Sequence, residues 1–551
     1  MSTEALSDIA GPPLDESRHG QLTLGAFLLE VCRRYRDDEA LVFDAPLLAG
    51  ETVRWTYADL ERESRRVARA LVAQGIGRGM HVATLMGNRP EAVAAFFGAA
   101  LAGAIVTPLS TFSTEQELDY LLRASEASIV ITQPSVAKNQ LATTVARLAS
   151  AGDIPQLQHV VSLGSVAGCT TWSDFLAAGD AVSDEIVDDA VATTDPADLA
   201  LILFSSGSTA APKGMLHNHR APTLQFWVQS ELFRRHRDTQ MWTALPMFWT
   251  AGMNTAMGAT LAAGGCWVMQ EGFDPGEALA LLERERVTEP YTLPHQARAL
   301  AEHPAWSSTD LSALRCVYGK SVFAKHPTVT GDEGWQMVVG WGMSETCAFI
   351  SAHAADLGRE AMKRSLGTLL PGNRLRVVDP DTGSIVPVGT EGELLVKGPT
   401  LMERYVGKRK EECFDADGWF HTGDVGHVDD QGEVHWTGRR TEMIKTGGAN
   451  VSPAEIEVQL RAHPGVKLAR VVGMPDARLD QIAVLCVEPA EGVTVDAADV
   501  QAFLRERLAA YKVPKHVFFF QPGEIPMTAN GNKVADDQLK ARVTDLIGEA
   551  R

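Results

Sequence analysis

Ten residues, Ser205 to Gly214 (SSGSTAAPKG), combine three serines, a threonine, two glycines and one lysine. Hydroxyls, unhindered backbone N–H groups and a point charge are what a phosphate needs around it. The run before it, Leu199 to Phe204 (LALILF), is continuously apolar and reads as a buried strand. The residues after Lys213 have helix-compatible character, so the stretch reads as a strand–loop–helix connection able to aim backbone donors at phosphate. A flexible linker does not usually leave a core strand. The common nucleoside-triphosphatase loop is excluded, because no second Gly precedes Lys213 and no Ser or Thr follows it to hold Mg²⁺. His217-Asn218-His219 reads as a histidine pair at a helix start, since no other metal-ligating residues cluster with it.

Other stretches carry candidate groups: Leu245–Gly252 (LPMFWTAG), Tyr318–Ser321 (YGKS), Gly340–Thr346 (GWGMSET), Trp419–Asp424 (WFHTGD), Gly438–Glu457 (GRRTEMIKTGGANVSPAEIE) and Pro526–Lys533 (PMTANGNK). Each alone has an ordinary structural reading. Glu345 would be a capping or surface acid, Trp341 core packing, Thr422-Gly423-Asp424 a turn, Arg439 an interdomain ion pair, and Gly447-Gly448 a turn. Together, in this order and over most of the chain, they resemble the motifs of the adenylate-forming superfamily of acyl-CoA synthetases, peptide-synthetase adenylation domains and luciferases.

That resemblance implies an acid–thiol ligase. A carboxylate attacks the α-phosphorus of ATP, giving an acyl-adenylate and pyrophosphate, and a thiol, expected to be coenzyme A, then displaces AMP. Both first partners are anions, so charge neutralisation and alignment are the enzyme's two tasks. Ser205, Ser206, Gly207, Ser208, Thr209 and Lys213 are implied to cradle the β- and γ-phosphates. Gly319, Lys320 and Ser321, with Gly340, Trp341, Gly342, Met343 and Ser344, are implied around the nucleotide, Trp341 offering a flat face to adenine. Glu345 is the implied Mg²⁺ ligand, with Ser208, since one carboxylate plus phosphate oxygens and water is the usual magnesium pattern. Asp424 is implied to take the ribose hydroxyls, and Arg439 the ribose or phosphate. Phe248, Trp249, Trp227 and Gly340 are implied at the acyl pocket, with Phe226 beside Trp227, hinting at a medium-chain, cyclic or aromatic acid. Lys533 is implied as the catalytic lysine between carboxylate and α-phosphate. After adenylation the small domain is implied to swing, so that Gly447 and Gly448 let a pantetheine arm pass.

The chain departs from the family pattern at several points. Ala210 stands where Gly is usual, Trp249 where His is common, Trp341 for Tyr and Ser344 for Thr. Lys320 is unusual in its segment. Thr441 occupies the hinge position that usually carries Asp, and Asn532 adds a residue before Lys533. Alternatives are an enzyme loading a separate carrier protein, a luciferase-type monooxygenase, and a nucleotide-binding protein without ligase activity.

The elements positioning these groups follow from pattern. Thr56–Asp59 (TYAD) resembles a capping box opening a helix with Leu60, Val67, Ala68, Leu71 and Val72 at helical spacing. HVATLM, SIVITQ and VVSLG read as buried strands between helices, which predicts a parallel sheet with helices on its faces. Ala92–Leu109 reads as a buried helix, a break at Gly103 and a short strand rather than a membrane span. The expected fold is α/β: a large N-terminal domain (1–437) of stacked αβαβα sheets, with a β-rich subdomain over about 366–437, and a mobile α+β C-terminal domain (438–551). The net charge of −20 over 551 residues disfavours nucleic acid as partner. Seven scattered cysteines without a CxxC pair, and a polar, acidic start, lead to the expectation of a cytoplasmic enzyme with ATP, Mg²⁺ and coenzyme A as cofactors. A homodimer is the expected self-association.

Overall fold

The computed structural model describes residues 5–45, 51–205, 212–315, 321–329, 338–357, 361, 363–439, 444–446, 449–451, 453–476, 479–508, 512–528 and 534–549. The chain forms two compact units. One comprises Ala10–Arg374 with Lys397–Phe420; the other comprises Met1–Ile9, Leu375–Val396 and His421–Arg551.

The larger unit holds two sheets that are mostly parallel. The first has eight strands, in the order Arg404–Tyr405, Lys213–Asn218, Leu199–Ser205, Ile105–Pro108, His81–Leu85, Ile129–Thr132, His159–Ser162 and Thr170–Thr171. From Leu199–Ser205 onward every pairing is parallel. The second has five, in the order Glu289–Pro290, Gln240–Thr243, Cys266–Met269, Glu39–Ala45 and Glu51–Thr56, antiparallel only at the last pair. Several of these strands are buried along their whole length, as sheets covered by helices on both faces must be. A three-stranded antiparallel sheet, Val339–Met343, Ala348–His353 and Thr368–Leu369, completes the unit.

Local chemistry explains the elements between the sheets. Thr56 and Asp59 form the reciprocal capping box that starts Tyr57–Ala73. That helix packs on Pro90–Leu101, and the contact is close because of Gly98: a Cβ there would lie 2.6 Å from Val67. Ala92–Leu109 is the buried helix Pro90–Leu101, a left-handed turn at Gly103 and the strand Ile105–Pro108. Among the described residues no helix is long and apolar enough to cross a membrane.

One expectation is corrected. Lys213 does not lead into a helix. Lys213–Asn218 is a strand antiparallel to Leu199–Ser205, with Lys213 opposite Ser205, so the hydroxyl-rich stretch closes a hairpin; the next helix is Arg220–Leu232. Met215, Leu216 and His217 are buried on this strand, and Gly214 leaves room between Phe204 and Val406. Burial within the sheet therefore overrides a sequence that is compatible with helix.

The smaller unit contains the sheet Asp8–Ala10, Arg374–Val378, Gly392–Lys397, Phe420–Val428 and Val434–Arg439. It also contains Ala449–Val451, Ile444–Thr446, Asp480–Pro489 and Val466–Asp476, with His516–Phe519 parallel to Asp480–Pro489. Successive residues of the long hairpin point to opposite faces. Val471 and Leu485 thus join Ile456 and Leu504 in one core, while Val472 and Val484 join Leu539 and Val543 in another.

Back in the larger unit, Arg235 and Glu289 form a two-pronged ion pair, with side chains only 1% and 5% exposed. Arg235 Nε lies 2.8 Å from Oε2 and Nη2 lies 2.5 Å from Oε1. Nη1 donates to the Thr260 hydroxyl and the Thr255 carbonyl. Removing one partner strands a buried charge. Arg235→Met is expected to cost about 3–5 kcal/mol, and Arg235→Met with Glu289→Leu to recover most of it. Urea unfolding of the two variants measures both; a single variant as stable as the unaltered protein refutes the expectation.

Candidate active site

The hairpin places Lys213 beside a residue that the sequence does not single out. The edge strand Arg404–Tyr405 pairs with Lys213–Asn218, Tyr405 opposite Met215. Exposed Lys213 brings its Nζ to 5.7 Å from the centre of the Tyr405 ring. The Tyr405 hydroxyl donates to Glu345 Oε1 at 2.8 Å. One ring thus separates a cation suited to phosphate from a half-buried carboxylate. Oε2 of Glu345 makes no hydrogen bond to a described residue, so one oxygen is oriented and the other open. A hard oxygen donor with an open lone-pair face fits Mg²⁺, which keeps water and phosphate oxygens for its other positions.

The turn bearing Glu345 is held at successive backbone carbonyls. His217 Nε2 donates to Ser344 O at 2.9 Å, and Met402 N–H to Glu345 O at 2.8 Å. Gln225 Nε2 donates to Thr346 O at 3.2 Å and to Phe349 O at 2.7 Å, and Asn254 Nδ2 to Cys347 O. The turn departs from regular structure, with Cys347 left-handed at φ 59°, so its carbonyls need partners from elsewhere. Gly342 precedes it because the returning strand comes too close for a side chain: a Cβ there would lie 1.8 Å from Ala348 O. Trp341 is 5% exposed, which leaves little of its flat face open.

The acyl-side residues fall into two groups. Phe248 and Trp249 meet edge to face at 5.8 Å, and Phe112, 46% exposed, meets Phe248 at 5.4 Å and Trp249 at 6.1 Å. Buried Asn88 clamps their segment by donating to Leu245 O at 2.9 Å and accepting from Met247 N–H at 3.1 Å. Trp227 lies elsewhere: it stacks on His19 and meets Phe27 edge-on, with Arg34 over its ring. Phe226 packs on Phe27 and against Gly258.

In the smaller unit Asp424 is buried and paired with Arg439 across two strands, Nε to Oδ1 2.9 Å. In the larger unit the half-buried Ser205 hydroxyl lies 3.9 Å from Met215 Sδ, and Ser321 Oγ is buried. Ser206, Gly207, Ser208, Thr209, Ala210, Gly319, Lys320, Thr441, Gly447, Gly448, Asn532 and Lys533 lie outside the described residues. Sequence reasoning missed Tyr405, His217, Gln225, Asn254, Met402, Asn88 and Phe112. For Tyr405 the chain offers no local signal, since its role exists only once the edge strand pairs.

Comparison with known proteins places this site in a family. Residues 28–406 match the AMP-binding enzyme family and residues 455–532 its C-terminal domain. A feruloyl-CoA synthase from Amycolatopsis sp is 35% identical over 88% of this chain and 94% of its own length. An indoleacetate–CoA ligase from Aromatoleum aromaticum is 33% identical over 89% and 94%. Among solved structures, ATP-bound MatB from Rhodopseudomonas palustris has a TM-score of 0.79 at 28% identity, covering 96% of this chain and 99% of that one. The chain therefore belongs to the AMP-binding enzyme family. It is an AMP-forming acid–CoA ligase, with ATP, Mg²⁺ and coenzyme A as its cofactors.

Burial pushes His217 and His219 down to about 4 from the ordinary 6.5. Both are neutral in the fold, which suits His217 as a single N–H donor to Ser344. The unfolded chain binds these protons first as pH falls. Each histidine's stabilising contribution is therefore complete above 6.5 and lost as pH falls through about 4, a difference of about 3 kcal/mol apiece. His217→Gln keeps an N–H donor without titrating. Urea unfolding at about pH 7 and about pH 4.5 is expected to show less acid loss for His217→Gln than for the unaltered chain. Equal losses would refute the buried-neutral assignment.

Proposed function

We propose that this chain joins an apolar, most simply an aromatic, carboxylic acid to coenzyme A through an acyl-adenylate. The observation that carries the reading is Tyr405 with Lys213 on its face and Glu345 on its hydroxyl. It supplies a phosphate-binding cation and a metal-binding carboxylate at one place, which joining two anions requires. Mg²⁺, when bound, neutralises phosphate charge. Glu345 holds the metal with Ser208, and Lys213 with Ser205 to Thr209 holds the β- and γ-phosphates. Gly319 to Ser321 and Gly340 to Ser344 surround the nucleotide, and Asp424 with Arg439 takes the ribose. Phe248 and Trp249, with Phe112 at the rim, form an apolar wall for the acid and keep water from its carboxylate. The aromatic acids in the names of the feruloyl-CoA synthase and indoleacetate–CoA ligase support that choice.

Residues 438–551 act in this proposal as the moving domain. Lys533 meets the charge developing between carboxylate and α-phosphate, and Gly447 and Gly448 admit the thiol afterwards. The described cysteines are free thiols and lie outside the proposed chemistry, as suits a cytoplasmic enzyme.

Pyrophosphate release and thioester formation across cinnamic, indoleacetic and straight-chain acids, with and without coenzyme A, test the reading. Aromatic acids are expected to release pyrophosphate and, with coenzyme A, to give thioester. Release without thioester would favour a carrier protein as acceptor. Lys533→Ala is expected to slow adenylate formation by about 10²–10³-fold; adenylate formation at the unaltered rate would remove Lys533 from its role.

A further inference from the structure

A chain of buried hydrogen bonds reaches the Glu345 turn from the interior. Thr255 Oγ1 donates to Gln229 Oε1 at 2.7 Å, Gln229 Nε2 to Gln225 Oε1 at 3.0 Å, and Gln225 Nε2 to the carbonyls of Thr346 and Phe349. The three side chains are 3%, 0% and 2% exposed in that order. The direction is forced from one end. Backbone carbonyls only accept, so Gln225 must turn its NH₂ toward the turn. Its oxygen then faces Gln229, which must donate, and the Gln229 oxygen faces Thr255, whose hydroxyl donates.

The fold places these residues with little freedom. Gln225 and Gln229 lie one turn apart on the helix Arg220–Leu232. Thr255 belongs to the π-helix Ala251–Gly258, a wide turn that follows Trp249 directly. Arg235 holds the carbonyl of the same Thr255. The two carbonyls that Gln225 holds flank the buried left-handed Cys347 and follow Glu345 within four residues. Groups that orient a metal ligand through its backbone or its second contacts change metal affinity without touching the ion.

We infer that Gln225 is a positioning residue for magnesium use, fixing the turn that carries Glu345, with Gln229 and Thr255 setting the direction of its amide. This rests on the reading of Glu345 as the magnesium carboxylate.

Gln225→Met keeps the length of the side chain and removes the donor. Calorimetry on the full chain with a non-hydrolysable ATP analogue, in Mg²⁺ and in EDTA, separates metal-dependent from metal-independent binding. Gln225→Met is expected to weaken binding about tenfold in Mg²⁺ and to leave binding in EDTA unchanged. The Mg²⁺ concentration for half-maximal pyrophosphate release should rise by a similar factor. Gln229→Met should shift both in the same direction by less, because the Gln225 amide loses its guide but keeps its donor. Unchanged binding, or equal weakening with and without Mg²⁺, would overturn the inference. Should Gln225→Met fail to fold, Thr255→Val carries the same test: a Mg²⁺-specific weakening supports the inference and none overturns it. Glu345→Gln separates the two readings. A Mg²⁺-specific loss there but not in Gln225→Met sinks the inference alone; no such loss in Glu345→Gln sinks the assignment of Glu345.

Discussion

A carboxylate that must hold a metal beside phosphate has to stay in place while partly open to solvent. Glu345 stands on a short turn that cannot satisfy its own backbone, so its position depends on donors from other elements. His217 comes from the hairpin strand, Met402 from the segment before the edge strand, Gln225 from the following helix and Asn254 from the π-helix. Each contact is ordinary in strength, about 1 kcal/mol net. Their value lies in fixing several consecutive carbonyls, because an unsatisfied buried carbonyl costs more than a made bond returns. The turn has little room for a second arrangement.

The same dependence explains features that look unrelated in the chain. The parallel sheet brings Leu199–Ser205 into the core, and the strand after it carries Lys213 outward and His217 inward. The edge strand adds Tyr405, whose hydroxyl orients the carboxylate that Lys213 faces across the ring. Asn88, after the strand His81–Leu85, holds the segment bearing Phe248 and Trp249. Arg235 and Glu289, buried as a pair, secure the end of the π-helix that feeds the glutamine chain. Two buried histidines stay neutral because burial makes protonation costly, which leaves His217 with the N–H its carbonyl partner needs.

Much of the fold was legible from pattern. The capping box at Thr56, the apolar strands, and the Gly103 break between helix and strand all follow from local rules, and the structure repeats them. The failure at Lys213 is instructive. Helix compatibility is a weak preference of a few tenths of a kcal/mol per residue. Pairing between Leu199–Ser205 and Arg404–Tyr405, with Met215, Leu216 and His217 buried, outweighs it. Trp227, read from its neighbours as an acyl-side aromatic, meets His19, Phe27 and Arg34, contacts set by packing of the first helix about two hundred residues earlier.

The sequence by itself determined the class of chemistry. Hydroxyls, glycines and a lysine in a set order, with an acid after Gly-x-Gly and a second lysine near the end, name charge neutralisation around phosphate before any coordinates exist. That information is local, because residue type and short spacing decide which groups are available. Only the tertiary structure decided how the groups are held. The partners of Glu345 come from positions 217, 225, 254, 402 and 405, and no short-range pattern links them. Their roles arise from strand pairing and helix packing, which bring distant donors to one turn and exclude the water that would otherwise satisfy it.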